Sequence, residues 1–211
     1  MDNYRTLAGT GTSVLVEKKS RFLGHCAPAQ SREQALDFIG AVKASHRDAN
    51  HNVSAYNLRA QNINHSSDDG EPSGTAGLPV LDVLMKARIV DAVIVVTRYF
   101  GGTLLGAGGL VRAYSSSASA AVKDAGAALM VLCNVYDVAL GYQLYEPFAK
   151  LLSDMGARVL DTAFAENVKL RFVLRQTSES ELFELVKELT RGAVTPVLAE
   201  RGYFPQEDRE L

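Results

Sequence analysis

The stretch DAVIVVTRYFGGTLLGAGGLVRAY, residues 91–114, decides how this chain folds. Its apolar run AVIVV (92–96) is β-branched and shows no polar alternation, the pattern of a central strand covered on both faces. Glycines follow at once. From Gly109 to Asp124 the chain is helical and rich in Ser and Ala, side chains short enough to let a helix lie close against a sheet, and Gly126 would end it. Strand, glycine-rich turn and helix in succession predict a sheet with helices packed on it.

Working upstream, Leu78, Leu81, Leu84, Met85 and Arg88 mark a helix, with Pro79 in its first turn where a missing N–H has no partner to lose. Residues 60–76 read as a long polar loop that carries DDGEPSGTAG (68–77), and loops of that length in compact domains tend to be functional. Residues 53–59 predict a strand whose inward face is ambiguous. Ala35, Phe38, Ile39 and Val42 recur at helical spacing behind a Ser31/Gln34 capping pattern, in a helix ending near His46. Residues 12–18 and 21–27 form a strand pair across a short polar link.

Downstream, residues 127–136 join two halves, and the second half reads β-α-β-β-α-β. Strands over 135–140, 158–165, 168–175 and 194–203 alternate with a helix lined by Leu144, Phe148, Leu152 and Met155 and stopped by Gly156. A second helix, capped by Ser178 with Glu181, turns Leu182, Leu185, Val186 and Leu189 inward. Glu166-Asn167 suits a tight hairpin turn. That order is ferredoxin-like. The fold class is α+β in two domains, 1–130 and 131–211.

Of the 211 residues, 47% are hydrophobic, enough for two cores. Cys26 and Cys133, in no CxxC pair, fit a reducing compartment and support neither a disulfide framework nor zinc. The N-terminus lacks a basic start followed by an apolar core, and no apolar run nears the ~18 residues of a membrane helix, so a soluble cytoplasmic protein without membrane contact is expected. Residues 1–130 carry 13 Lys+Arg against 11 Asp+Glu, and residues 131–211 carry 9 against 13. A net +2 makes no domain-wide footprint for nucleic acid, so RNA contact would need a local patch such as Lys18, Lys19 and Arg21, although a solvated hairpin rim explains that cluster better.

Arg98 and Arg112 bracket the glycine-rich loop. Neither formal phosphate cradle fits there: Ala107 stands where a Walker lysine belongs, and Val111 where a dinucleotide fold needs Gly or Ala, so no cofactor is expected. An anion, an RNA phosphate included, could still dock at Gly108-Gly109 with Arg98 or Arg112; the bland alternative is tight helix packing. Asp68, Asp69 and Glu71 could hold a hard cation or act as acid and base, yet an acidic turn capping the following helix explains them better. His51 precedes a strand and could converge with Glu71. Ser73 and Ser115 to Ser117 lack the GxSxG context of a nucleophile, and the second half offers no catalytic constellation.

Taken together, ANHNVSAY (49–56), SDDGEPSGTAG (67–77) and VTRYFGGTLLGAGGLVRAY (96–114) resemble the signature of the IMPACT/YigZ family. The resemblance implies a first domain of the ribosomal-protein-type (domain-2-like) α/β sandwich, also found in domain four of elongation factor G. It implies a ferredoxin-like βαββαβ second domain similar to domain five of that factor. In eukaryotic relatives the homologous domain belongs to a regulator that restrains a translation-initiation kinase by competing for its activator, a partner that bacteria lack. The implied signature surface comprises His51, Asp69, Glu71, Ser73, Thr75, Arg98, Tyr99, Gly101, Gly102, Gly106 and Arg112. Thr103-Leu104-Leu105 departs from relatives that place a lysine there, which weakens a purely phosphate-binding loop. The expectation is a translation-associated binding protein that contacts RNA, the ribosome or a translation-linked protein. The rival is an enzyme, a hydrolase or phosphate-transfer protein, with Glu71 or His51 as base and Arg98 on an anion.

Overall fold

The computed structural model describes residues 3–207, which form two compact units, Tyr4–Leu129 and Met130–Pro205. In chain order the elements are β1 (Tyr4–Leu7), β2 (Gly11–Glu17), β3 (Ser20–Pro28), α1 (Arg32–Ser45), β4 (His51–Leu58), β5 (Ile63–Ser67), α2 (Gly77–Lys86), β6 (Ala92–Tyr99), α3 (Ala107–Ala125), β7 (Ala127–Leu140), α4 (Tyr142–Asp154), β8 (Arg158–Phe164), β9 (Val168–Arg175), α5 (Glu179–Thr190) and β10 (Val197–Glu207). The protein is α+β.

In the first unit an antiparallel sheet runs β2-β3-β6-β4-β5. β6 is central, as its unalternating apolar run requires, and its two-residue side-chain period feeds two cores at once. Val93 and Val95 pack with Ala35, Ile39 and Val42 of α1 on one face. Ile94 and Val96 pack on the other with Val80 and Leu84 of α2 and Leu110, Tyr114 and Ala121 of α3. β4 divides in the same way, with Val53 and Ala55 toward α2 and α3 and Tyr56 and Leu58 toward α1. Both faces of β4 are therefore inward faces, which resolves the ambiguity of its sequence.

The small face of α3 lies directly on β2 and β3. Ser13 Oγ donates to the Ser117 carbonyl at 2.7 Å and Cys26 Sγ to that of Ala121 at 3.3 Å. α1 begins as expected, with the Gln34 amide donating to Ser31 Oγ at 3.2 Å.

Two readings of local structure are corrected. Residues 63–67 are not loop but the edge strand β5, paired only to β4; its Ile-Asn-His-Ser-Ser sequence is polar because one strand neighbour and partial exposure ask for little apolar surface. α5 has no side-chain cap from Ser178, since a short 3-10 turn over Gln176–Ser178 leads into it. Glu179 instead accepts a 2.7 Å bond from the Tyr136 hydroxyl.

In the second unit β7 pairs with β9 and β10, and β9 with β8, so the strands lie in the order β10-β7-β9-β8. Tyr136, Val138, Leu170 and Phe172 face Phe148 and Leu152 of α4 and Leu182 and Val186 of α5. The βαββαβ order read from the sequence is the observed one. Among the described residues no helix is long and apolar enough to cross a membrane.

Candidate functional site

The loop between β5 and α2 is built by its acidic residues. Asp68 Oδ1 accepts from the amides of Ala76 and Gly77 at 3.1 and 2.7 Å, and Oδ2 from Gly74 at 2.8 Å. One carboxylate thus satisfies donors at the start of α2 that have no helical partner. Burial alone would raise the Asp68 pKa, but the Gly77, Gly74 and Ala76 amides outweigh it and hold it below the usual carboxylate value. Of the three acidic residues expected to cap α2, Asp68 alone does so; Asp69 and Glu71 are bonded elsewhere. No group of three or more His, Cys, Asp or Glu suited to a metal occurs among the described residues.

Asp69 ties the same loop to two other elements. Its carboxylate accepts from Lys43 Nζ of α1 at 2.7 Å and from the Asn52 amide of β4 at 2.7 Å. Here too burial pushes the pKa up, and the Lys43 and Asn52 bonds bring it below normal.

Glu71 turns inward to the deepest polar cluster of the unit. Its Oε1 accepts from Arg98 Nη1 at 2.6 Å and from the Tyr114 hydroxyl at 2.7 Å. The Glu71 and Arg98 side chains are only 3% and 6% exposed, and the guanidinium lies 5.4 Å from the ring centres of both Phe22 and Phe100. Burial and the Glu71 acceptor hold Tyr114 far above the ordinary phenol range, so it stays protonated and donates. His51 Nδ1 lies 2.9 Å from the Asp69 carbonyl, which can only accept, so the proton resides on Nδ1. Nε2 then faces Glu71 Oε1 at 3.8 Å.

The cluster is a lock between the acidic loop and the glycine-rich loop. Ser20 Oγ extends it, accepting the Gly101 amide at 3.1 Å. Gly101 lies against the backbone of Lys19 and Ser20 so closely that a Cβ would overlap it. The glycine serves a close backbone approach rather than a ligand.

The expected site residues therefore divide. His51, Asp69, Glu71 and Arg98 converge, and Gly101 borders them. Thr75 is buried and donates to the Pro72 carbonyl at 2.7 Å, whereas Ser73 is exposed. Tyr99 follows Arg98 on a strand and so falls on the opposite face, where it donates to Asp48 at 3.2 Å and lies 2.9 Å from His46 Nδ1. Gly102 and Gly106 are exposed, and Gly106 enters α3 at φ 74°. Arg112 is exposed, its guanidinium beside the Gly108 backbone. It lines a 290 Å³ cavity with Glu17, Lys18, Leu105, Gly109 and Ser116. Of the two bracketing arginines only Arg112 is available to an anion. Reasoning from sequence missed Tyr114, Ser20 and Lys43; Tyr114 carried the one usable signal, since it falls on the buried stripe of α3 and a buried phenol needs a partner.

The chain is 36% identical to the IMPACT family member YvyE of Bacillus subtilis (strain 168), over 91% of this chain and 89% of that protein. The chain belongs to the IMPACT family. The Impact N-terminal domain model matches residues 18–122, and a domain of unknown function (DUF1949) matches 138–193. The IMPACT family member YigZ of Escherichia coli (strain K12) is 32% identical over 92% of this chain and 97% of its own length. A solved structure described as a hypothetical protein superposes with a TM-score of 0.61 at 31% identity, covering 95% of this chain and 98% of its own. Eukaryotic proteins named IMPACT, that of Dictyostelium discoideum among them, match about half of this chain. The buried lock and the exposed rim both fall within the Impact N-terminal match.

Proposed function

We propose that this IMPACT-family protein is a translation-associated binding protein whose first unit contacts RNA through the rim of the glycine-rich loop. One observation carries the reading: exposed cations, Lys18 and Arg112, line one cavity at the start of α3, and the loop that leads into that helix leaves Leu104 82% and Phe100 45% exposed. Among the described residues neither cation has a carboxylate partner. Unpaired cations beside exposed aromatic and aliphatic side chains suit a phosphate backbone and unstacked bases. The lock beneath holds the surface in shape. Membership in a family whose eukaryotic branch the resemblance links to translation control supports RNA of the translation apparatus as the partner.

The enzyme reading draws on the convergence of His51, Glu71 and Arg98. Against it stands the state of those groups, because Glu71 and Arg98 neutralise each other behind protein surface.

Ribosome co-sedimentation, with anisotropy of labelled RNA at ~0.1 M salt, tests the binding reading. Arg112→Ala is expected to weaken binding and to lower the slope of log K against log salt by about 0.7. Wild-type protein that binds neither RNA nor ribosomes, or binding untouched by Arg112→Ala, rejects it. Capture of a protein partner that survives nuclease would transfer the surface to protein recognition.

A further inference from the structure

Two-residue hairpin turns of type I′ hold both central residues at positive φ, which is why Asn-Gly and Asp-Gly dominate them. This chain contains an internal comparison. At the Asp68–Glu71 turn, closed by the Glu71 amide on the Asp68 carbonyl, the positive-φ positions are Asp69 (46°) and Gly70 (88°), the residues the geometry favours. At the β2–β3 turn, between the paired Glu17 and Ser20, the positions are Lys18 (45°) and Lys19 (67°). Among the described residues these are the only consecutive non-glycine residues at positive φ.

A lysine gains nothing in that backbone state that Asn or Gly would not reach with less strain. Packing nevertheless keeps the turn in place: Gly101 sits against the Lys19 and Ser20 backbone, and the fully buried Ser20 holds the Gly101 amide. Both lysines are exposed, and neither has a carboxylate partner among the described residues. Lys18 shares its cavity with Arg112. Residues held in a disfavoured backbone state by their surroundings mark positions kept for something other than stability.

We propose that the Lys18-Lys19 turn is a clamp for the phosphates of single-stranded RNA, its strain retained because two ammonium groups are needed at that tip. Phe100 and Leu104 are exposed on the loop whose Gly101 packs against the Lys19-Ser20 backbone, and they favour a single strand, since they offer contact to unstacked bases that a duplex does not present. The inference rests on the RNA reading above and names the element and the strand type.

The test is Lys18→Asn/Lys19→Gly, which supplies the residues the turn prefers and removes both charges. Thermal melting should shift upward by about 3 °C. Anisotropy with a labelled single-stranded oligoribonucleotide of about 12 nucleotides should show at least a roughly tenfold affinity loss, with the salt slope reduced by about 1.4. Lys18→Arg/Lys19→Arg should bind like wild type. Wild-type affinity and slope in the Asn-Gly variant, or a melting point that does not rise, overturns the clamp. Equal binding of a blunt duplex overturns the strand assignment. Loss of binding in Arg112→Ala but not in the Asn-Gly variant would leave the RNA reading standing while the clamp falls; wild-type protein that sediments with ribosomes but binds no oligonucleotide likewise removes the clamp alone, and wild-type protein that binds neither removes both. Should the Asn-Gly variant not fold, Lys18→Gln/Lys19→Gln supplies the binding comparison.

Discussion

Replacing Glu71 by Gln removes a charge and almost no volume, so it isolates what the buried carboxylate does for Arg98. The pair is 2.6 Å apart and 3% and 6% exposed, with a second donor from Tyr114 on the same oxygen. Screening by water is therefore slight, and the relevant magnitude is that of a buried ion pair losing one partner, about 3–5 kcal/mol. At about 4 °C per kcal/mol for a unit of this size, the melting transition of the first unit should fall by about 12–20 °C. Glu71→Leu/Arg98→Met, which removes both charges and keeps apolar volume, should recover most of that loss, because the large term is the stranded guanidinium rather than the missing attraction. Urea and thermal unfolding of the four proteins of a Glu71/Arg98 double-mutant cycle measure the coupling. A Glu71→Gln variant within about 1 kcal/mol of wild type, or a cycle without coupling, would refute the lock as the element joining the two loops.

Two further outcomes follow from the same geometry. Asp68 and Asp69 titrate below their unfolded values of about 3.9, so the stability they contribute is present above that pH and is lost as pH falls through the folded values. Melting points followed from pH 6 downward should therefore drop below about pH 4 in wild type and drop less in Asp68→Asn; parallel curves would contradict the capping role. Gly101→Ala should lower the melting point by forcing the β2–β3 turn off the glycine-rich loop, because the added Cβ meets the Lys19 and Ser20 backbone rather than a movable side chain. Hydrogen exchange at residues 17–21 measures the displacement, and unchanged protection would count against the close fit.

Much of the fold was legible because periodicity is local. A short, β-branched apolar run without alternation, followed at once by glycines, reads as a strand covered on both faces, and Val93/Val95 against Ile94/Val96 occupy the two cores it implied. The β5 strand escaped the same reasoning, since an edge strand with one apolar residue carries no periodic signal. Within the site, the sequence singled out both charged loops and allowed His51 to converge with Glu71, but it left Arg98 and Arg112 as equals. Alternation along a strand already implied that Arg98 and Tyr99 part company across the sheet. Which face holds the acidic loop is a tertiary matter.

By itself, then, the chain determined most of its elements, though not the short strands β1 and β5, together with the βαββαβ order of the second unit and the family to which it belongs, all of which depend on residues close in sequence or on recurrent motifs. Only tertiary structure decided that Arg98 is spent internally on Glu71, 27 positions away, while Arg112 stays at the surface. The reason is desolvation: a guanidinium enclosed between Phe22 and Phe100 must find a carboxylate, and no local pattern states which carboxylate will be brought to it.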